Sequence, residues 1–296
     1  MAINFPKEQG ATLKDSMEQG GGIKLPFDVT YWFVVNGDKR MRSVGGVHYF
    51  GGWATDQNKL AEVGATWDPP ITNPPSYADQ GEITTNNGKV IPSYLSRAMF
   101  VAPIGFRTCW EKTDFGTNQT TRFKDYQPGT RRKAQFLVYV ADKTEQKQLV
   151  PWGPAVLTVG GMQVGKVLDA FKAWSKHIDK ARRILEADAP AWVFYSAIGT
   201  FGDEYKSEMV GQSGAQSSIT PMVCHLPEEM TAEKLEKYYV GADVVNHMAE
   251  LKAEAAEWLN AWSNMGAQPA AAGNGNAHGN GFEPPMPPDN FDDIPF

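Results

Sequence analysis

A succession of short apolar runs, separated by turn residues, dominates the first three-quarters of the chain. The run at 28–35 is rich in β-branched and aromatic residues and stops at Asn36-Gly37-Asp38, which predicts a strand followed by a hairpin turn. Further strand-like runs lie at 44–53, 96–110, 131–140, 152–159, 192–198, 204–210 and 218–225. Because these runs do not alternate with helices, the sequence favours a small barrel or sandwich over a parallel α/β sheet.

Three segments have the apolar spacing of a helix, and one segment has no regular pattern. The helical spacing covers 165–187, a short stretch that begins at Thr231, and 242–264. The last segment carries an apolar stripe that either packs on its own domain or forms a dimer seam, so a homo-oligomer stays open; its residues are Val244, Met248, Leu251, Ala255, Trp258 and Trp262. Five prolines in 54–92 predict a long irregular insertion.

Composition limits the class of protein. Hydrophobic residues make up 42% of the 296 residues, which is enough for a proper core. The formal charge is −6, but four acids lie in the last thirty residues, and residues 1–266 carry 28 basic and 30 acidic groups. This near balance neither demands nor excludes a nucleic-acid partner. Two cysteines without CxxC spacing, no signal peptide and no apolar run of ~20 residues predict a cytoplasmic protein without membrane association.

Residues 106–139 combine basic and aromatic side chains. Single-stranded nucleic acid requires this mixture, because cations track the phosphates and flat rings stack on unpaired bases. The candidate DNA contacts in this stretch are Phe106, Arg107, Trp110, Lys112, Arg122, Phe123, Lys124, Tyr126, Arg131, Arg132, Lys133 and Tyr139. Trp32 and Trp53 are further candidate DNA contacts, although both also suit a core. In the alternative interpretation the rings of 106–139 are core and the charges are a solvated rim.

Two further motifs lack a part that their chemistry needs. The segment 160–166, Gly-Gly-Met-Gln-Val-Gly-Lys, nearly spells a phosphate-binding loop, but Val167 stands where a hydroxyl would hold Mg²⁺. A glycine turn between a strand and a helix is the simpler interpretation, and the helix N-terminus could still hold a DNA phosphate. Cys224 and His225 are adjacent, so on a strand they point to opposite faces. We therefore predict no catalytic residue, no metal, no cofactor and no enzymatic activity.

The last thirty residues differ in character from the rest. Residues 266–288 are rich in Gly, Ala, Asn and Pro and cannot bury enough apolar surface to fold, which predicts a disordered tether. A tether of this composition spans roughly 25 Å. Residues 289–296 form an acidic tip that ends in the aromatic Phe296 and its free carboxylate. Such a tip is suited to capture by a partner protein.

The final Asp292-Asp293-Ile294-Pro295-Phe296 resembles the C-terminal tip of bacterial single-stranded DNA-binding proteins, the SSB family. In that family an OB-fold domain binds DNA, and an acidic tip on a disordered linker recruits replication and repair proteins. The resemblance implies that the tip binds such partners: Pro295 and Phe296 fill an apolar pocket, and the two aspartates meet a basic rim. It covers about eight residues closely, and the folded part is more than twice the usual SSB size, which suggests a divergent phage or mobile-element type.

Taken together, these features predict a β-rich α+β protein. Residues 1–265 form an elaborated OB-like barrel with long insertions and C-terminal helices, followed by the tether and the tip. The expected function is sequence-independent binding and protection of single-stranded DNA in replication, recombination or repair, in a bacterial cytoplasm or a phage-infected cell. Two alternatives stay open: an interaction protein that mimics the SSB tip without binding DNA, and a DNA-processing enzyme recruited by the tip.

Overall fold

The computed structural model describes residues 23–43, 48–84, 88–114, 119–185, 189–200, 208–210 and 217–265. The strands in these ranges are β1 (Thr30–Ser43), β2 (His48–Asp56), β3 (Asp79–Thr84), β4 (Val90–Ser96), β5 (Ala98–Asp114), β6 (Gln119–Phe123), β7 (Arg131–Lys143), β8 (Leu149–Gly160), β9 (Ser196–Gly199), β10 (Glu208–Val210), β11 (Ser217–Ile219) and β12 (Val223–His225). The helices are α1 (Gln57–Gly64), α2 (Gln163–Leu185), α3 (Ala232–Tyr238), α4 (Ala242–Glu254) and α5 (Ala256–Asn260), with a 3₁₀ turn, η1, at Ala191–Val193. The predicted tether and tip lie outside the described residues.

The protein is β-rich, with few helices around one strongly curled, half-barrel sheet. The strand order is β12-β9-β5-β7-β8-β1-β2-β4-β3, and β6 also pairs with β5. The end of β3 returns to pair with β1, so β1, β2, β4 and β3 close a four-stranded ring. A small apolar core of Ala54, Ile83, Ile91 and Leu95 belongs to this ring. The β1–β8 pair is parallel, whereas the ring and the other central pairs are antiparallel.

Strand β7 lies at the centre of the sheet and is buried on both faces. Ala134, Phe136, Val138 and Val140 point to one side and pack with the first half of α2. We call this side the Phe136 face. On the other side, which we call the Leu137 face, β7 packs against α4 and α5. Burial on both sides explains why the run reads as almost continuously apolar.

The C-terminal helices pack on the Leu137 face. All six residues of the predicted apolar stripe are buried there, so the stripe belongs to the core of its own chain. Close approach depends on Gly105 in β5, because a Cβ at this position would lie 2.9 Å from Leu259 Cδ2. The predicted helix 242–264 is two helices in the structure, because α4 ends at Glu254 and α5 extends only from Ala256 to Asn260. Ala255 and Trp262 of the stripe lie outside both helices. Among the described residues, no helix has the length and apolar character that crossing a bilayer requires.

The sequence-based prediction was wrong in three places. Residues 54–92 contain α1, β3 and the start of β4, and the Asp56 side chain caps α1 by accepting from two backbone N–H groups. The interval between the predicted strands 96–110 and 131–140 contains β6, a five-residue strand held by pairing with β5. The hairpin of β1 and β2 is confirmed, but β1 continues past Asn36 to Ser43, with a register shift between Asn36 and Met41. Short strands surrounded by proline and polar residues owe their structure to long-range pairing, which local patterns miss.

Candidate nucleic-acid interface

Strand pleating divides the basic and aromatic stretch 106–139 into two surfaces. In the β6–β5–β7 region, Trp110 pairs across the strands with Phe123 and Arg132, and Glu111 pairs with Arg122 and Arg131. Successive side chains of a strand point to opposite faces. The cross-strand row of Trp110, Phe123 and Arg132 therefore lies on the Phe136 face. The row of Glu111, Arg122 and Arg131 lies on the Leu137 face.

Three aromatic rings reach the surface at the end of the Phe136 face. Trp110 is half-buried, and the Tyr126 ring meets it edge-on with centroids 5.0 Å apart and an interplanar angle of 74°. Tyr126 comes from the loop that leads from β6 to β7, and 38% of it is exposed. Phe123, also half-buried, pairs with Trp110 on the neighbouring strand. We call Trp110, Phe123 and Tyr126 the ring strip, because their surfaces are accessible to an unpaired base.

Three cations are neighbours of the ring strip along the chain or across the strands. Lys112 lies on the same face as Trp110, two residues further along β5, and its ammonium group reaches the loop near Gly129. Lys124 directly follows Phe123; both lysines are exposed, and neither forms an ion pair with any residue that the structure describes. Arg132 is half-buried opposite Trp110, and desolvation lowers the pKa of its guanidinium. The two lysines are thus available to phosphates beside the rings.

Arg107, on the Leu137 face, binds the C-terminal helices to the sheet. Its Nε and Nη2 donate to Gln135 Oε1 at 3.0 and 2.7 Å, and its Nη1 donates to the Trp258 carbonyl at 3.0 Å. The guanidinium carbon lies 3.8 Å from the Trp258 ring centroid and 4.2 Å from that of Trp262. Burial lowers the pKa of Arg107 to about 9, so the group stays protonated at pH 7. Its donors serve the fold, which removes Arg107 from the exposed DNA surface.

Lys133 and Arg122 are also committed within the protein. Their side chains are 10% and 6% exposed, and Glu111 Oε2 lies 3.3 Å from Lys133 Nζ and 3.8 Å from Arg122 Nε. Desolvation lowers the pKa of Lys133, while the Glu111 carboxylate acts in the opposite direction. Arg122 additionally lies 5.6 Å from the Trp262 ring centroid. The remaining cation of this row, Arg131, is exposed.

Three of the predicted aromatic contacts are buried, and a fourth, Phe106, is half-buried and packs against the core. Trp32 and Trp53 are fully buried, and Trp53 Nε1 donates to the Ile198 carbonyl at 2.8 Å, which confirms that both suit a core. Tyr139 is 8% exposed and meets His247 of α4 edge-on, with centroids 5.7 Å apart. Phe106 stacks on Phe136 with centroids 5.7 Å apart. We therefore correct the candidate surface by omitting these rings, because a ring packed in the core has no free face for a base.

The glycine-rich segment after β8 is a turn, as the simpler interpretation predicted. Gly160 ends β8, Gly161 has φ +62°, and α2 begins at Gln163. The positive φ explains the second glycine, because L side chains disfavour this conformation. Among the described residues, no group of three or more His, Cys, Asp or Glu side chains is placed to hold a metal ion.

Sequence reasoning missed the partners of the buried cations. Trp258 and Trp262 were recognised only as parts of an apolar stripe, yet Arg107 contacts both rings from more than 150 positions earlier in the chain. Glu111 is absent from the predicted site, but its carboxylate lies beside two cations, Arg122 and Lys133. No local pattern signals either contact, because the sheet brings these residues together.

The candidate interface therefore consists of the ring strip with Lys112, Lys124 and Arg132. Its chemistry suits a flexible, negatively charged chain with exposed flat groups. No protein-family model, no curated protein and no solved structure matches the chain.

Proposed function

We propose that this protein binds single-stranded DNA without sequence preference, through the ring strip and its flanking cations. The observation that carries the proposal is the contact between the half-buried Trp110 and the exposed Tyr126, near two exposed lysines without ion pairs among the described residues. Stacking on a ring contributes about 1–3 kcal/mol per base and is independent of sequence, because every base has a π face. The lysines supply the electrostatic part, which releases counterions from the DNA and weakens with salt.

The fold and the tip support a more specific proposal. The curled sheet, with its closed β1-β2-β4-β3 ring, is compatible with an elaborated OB-like barrel, a fold that commonly binds single strands. The tip sequence Asp292–Phe296 supports membership of a divergent SSB-like group, of phage or mobile-element type, acting in a cytoplasm. In this proposal the protein coats single strands during replication, recombination or repair, and the tip recruits partner enzymes.

A titration of oligo-dT and of duplex DNA of the same length, followed by tryptophan fluorescence, tests the DNA-binding part. We expect tight, salt-sensitive binding of oligo-dT and much weaker binding of duplex. Tyr126→Ala and Trp110→Ala should each weaken oligo-dT binding by about 1–3 kcal/mol. Tyr239→Ala is the matched control, because Tyr239 is 39% exposed, as Tyr126 is 38% exposed, but lies beside Phe194 instead of the ring strip. Equal effects of the two tyrosine variants would contradict the proposed surface.

Deletion of Phe296 tests recruitment separately. The truncated protein should lose affinity for SSB-binding replication and repair enzymes, because the terminal ring and its carboxylate are the specific handle. Its affinity for oligo-dT should be retained or slightly increased, since the acidic tip competes for basic groups. Partner binding by a wild-type protein that does not bind oligo-dT would instead indicate a mimic of the SSB tip. Mg²⁺-dependent turnover of DNA would indicate an enzyme.

A further inference from the structure

Arg131 differs from Arg122 and Lys133, the two cations that contact Glu111 on the same face of the sheet. It is the first residue of β7 and lies on the Leu137 face, opposite to the face that carries the ring strip. It is exposed, and it forms no ion pair with any of the described residues. Arg122 and Lys133, by contrast, share the Glu111 carboxylate. Arg131 is therefore an exposed cation without an ion pair among the described residues on the Leu137 face.

The turn after β8 forms a seat for this guanidinium. A Cβ on Gly160 would lie 3.3 Å from Arg131 Nη2, and a Cβ on Gly161 would lie 3.0 Å from Arg131 Nε. The seat is tied to the start of β7, because the Gly161 N–H donates to the Arg132 carbonyl at 2.7 Å. Two adjacent residues without side chains thus let an exposed arginine lie against backbone. An arginine held in this way loses less conformational entropy on binding than one that extends freely into solvent.

The surroundings of the seat favour an anion. Lys133 pairs with Gly160 across β7 and β8. Arg122 of β6, Glu111 of β5 and Arg131 of β7 lie side by side across the three strands, with Glu111 in the middle. Arg122 and Lys133 contact the Glu111 carboxylate, and Arg131 is the cross-strand neighbour of Glu111, so three cations and one acid share this part of the face. Guanidinium groups bind phosphates with a fork of two parallel hydrogen bonds, and nearby positive charges strengthen the attraction.

We propose that Arg131, seated on Gly160 and Gly161, is a preorganised phosphate-binding residue for the DNA backbone. This inference rests on the proposed function, and it extends the path of the DNA. A strand whose bases stack on the ring strip continues past the start of β7 and places a later phosphate on Arg131, on the opposite face of the sheet. Short oligonucleotides occupy only the ring strip, whereas longer ones reach both faces.

The salt dependence of binding by oligo-dT of two lengths tests this path. Single modules of this kind occupy about 4–16 nucleotides, so we choose about 5 nucleotides for the ring strip and about 20 for the full path. For the longer oligomer, Arg131→Ala should reduce the slope of log K against log salt by about 0.7, which is the loss of one phosphate contact. For the shorter oligomer, affinity and slope should stay at the wild-type values.

Two further variants separate the position of the charge from its presence. Arg131→Lys keeps the charge but loses the fork, so it should retain the slope while binding of the longer oligomer weakens several-fold. Arg183→Ala removes an exposed arginine from the last turn of α2, about 30 Å along the helix from the seat, and should change neither oligomer. Unfolding midpoints that match the wild type will show that the variants are folded.

The possible results are distinguishable. Wild-type binding of both oligomers with no effect of Arg131→Ala would overturn the inference and leave the proposed function intact. An equal loss at both lengths would also overturn it, because Arg131 would then belong to the path of the short oligomer. If the wild-type protein binds neither oligomer, the proposed function and the inference both fail.

Discussion

Replacing Arg107 by alanine should loosen the C-terminal helices from the Leu137 face. Arg107 bridges β5 to β7 through Gln135 and reaches α5 through the Trp258 carbonyl. Its guanidinium also lies over two indole rings, those of Trp258 and Trp262. A single side chain thus connects the centre of the sheet to the last helix that the structure describes.

The expected loss of stability follows from these contacts. Without the guanidinium, Gln135 Oε1 loses both of its Arg107 donors, and an unsatisfied buried acceptor costs about 1–3 kcal/mol. The Trp258 carbonyl loses one donor but still accepts from the Ala261 N–H at 3.4 Å. The two cation–π contacts contribute about 0.5–2 kcal/mol each. Part of this gain offsets the cost of burying the charge, the same desolvation that lowers the pKa of Arg107 to about 9. We therefore expect Arg107→Ala to lower the free energy of unfolding by about 2–4 kcal/mol.

Urea unfolding followed by tryptophan fluorescence measures this loss. Arg107→Lys should lie between the wild type and the alanine variant, because an ammonium group keeps the charge but does not bridge both acceptors in the same geometry. Arg183→Ala is the matched control and should stay within about 0.5 kcal/mol of the wild type. If Arg107→Ala unfolds at the same urea concentration as this control, the proposed anchoring role of Arg107 is refuted.

Two more predictions concern the core. A Cβ on Gly153 would lie 2.5 Å from Trp67 Cζ3, and the Trp67 ring is held edge-on to Trp152 with centroids 5.3 Å apart. Gly153→Ala should therefore lower the free energy of unfolding by about 1–3 kcal/mol, measured by thermal unfolding. An unchanged melting temperature would contradict this packing. Burial raises the pKa of Cys109 and Cys224 to about 12. Cys109 is 1% exposed, so it should resist thiol reagents at pH 8 until urea unfolds the protein, whereas Cys224 is only half-buried. Rapid labelling of Cys109 in the native protein would contradict its burial. The raised thiol pKa also means that the free energy of unfolding should fall as pH rises from the ordinary thiol pKa towards 12, because the thiols ionise first in the unfolded protein.

Much of the central sheet could be predicted from local pattern. The apolar run at 131–140 predicted strand β7, and the spacing in 242–264 predicted the residues that the C-terminal segment buries. These elements have long apolar periods, which are the most reliable local signal. The segment 54–92 was misinterpreted because its strands are short, and their structure depends on partners in β1 and β2.

The candidate site was predicted as a stretch of sequence but not as a surface. Trp110 and Arg107 lie three residues apart and belong to the same basic, aromatic interval, yet one borders the exposed ring strip and the other is buried under α5. Strand periodicity predicts that they point to opposite faces, but it does not predict which face a distant helix will cover. That depended on the packing of residues more than 140 positions later.

The sequence by itself determined the strand-rich character, the helical stripe at the C-terminus, the clustering of cations with rings, and the acidic Ile-Pro-Phe ending. These are local properties, set by side-chain type and spacing. Only the tertiary structure decided that Trp32, Trp53 and Tyr139 are core, that Arg107 anchors helices, and that Trp110, Tyr126 and Arg131 remain at the surface. Burial is a property of what packs over a residue, and in a sheet closed by long-range pairing that neighbour comes from elsewhere in the chain.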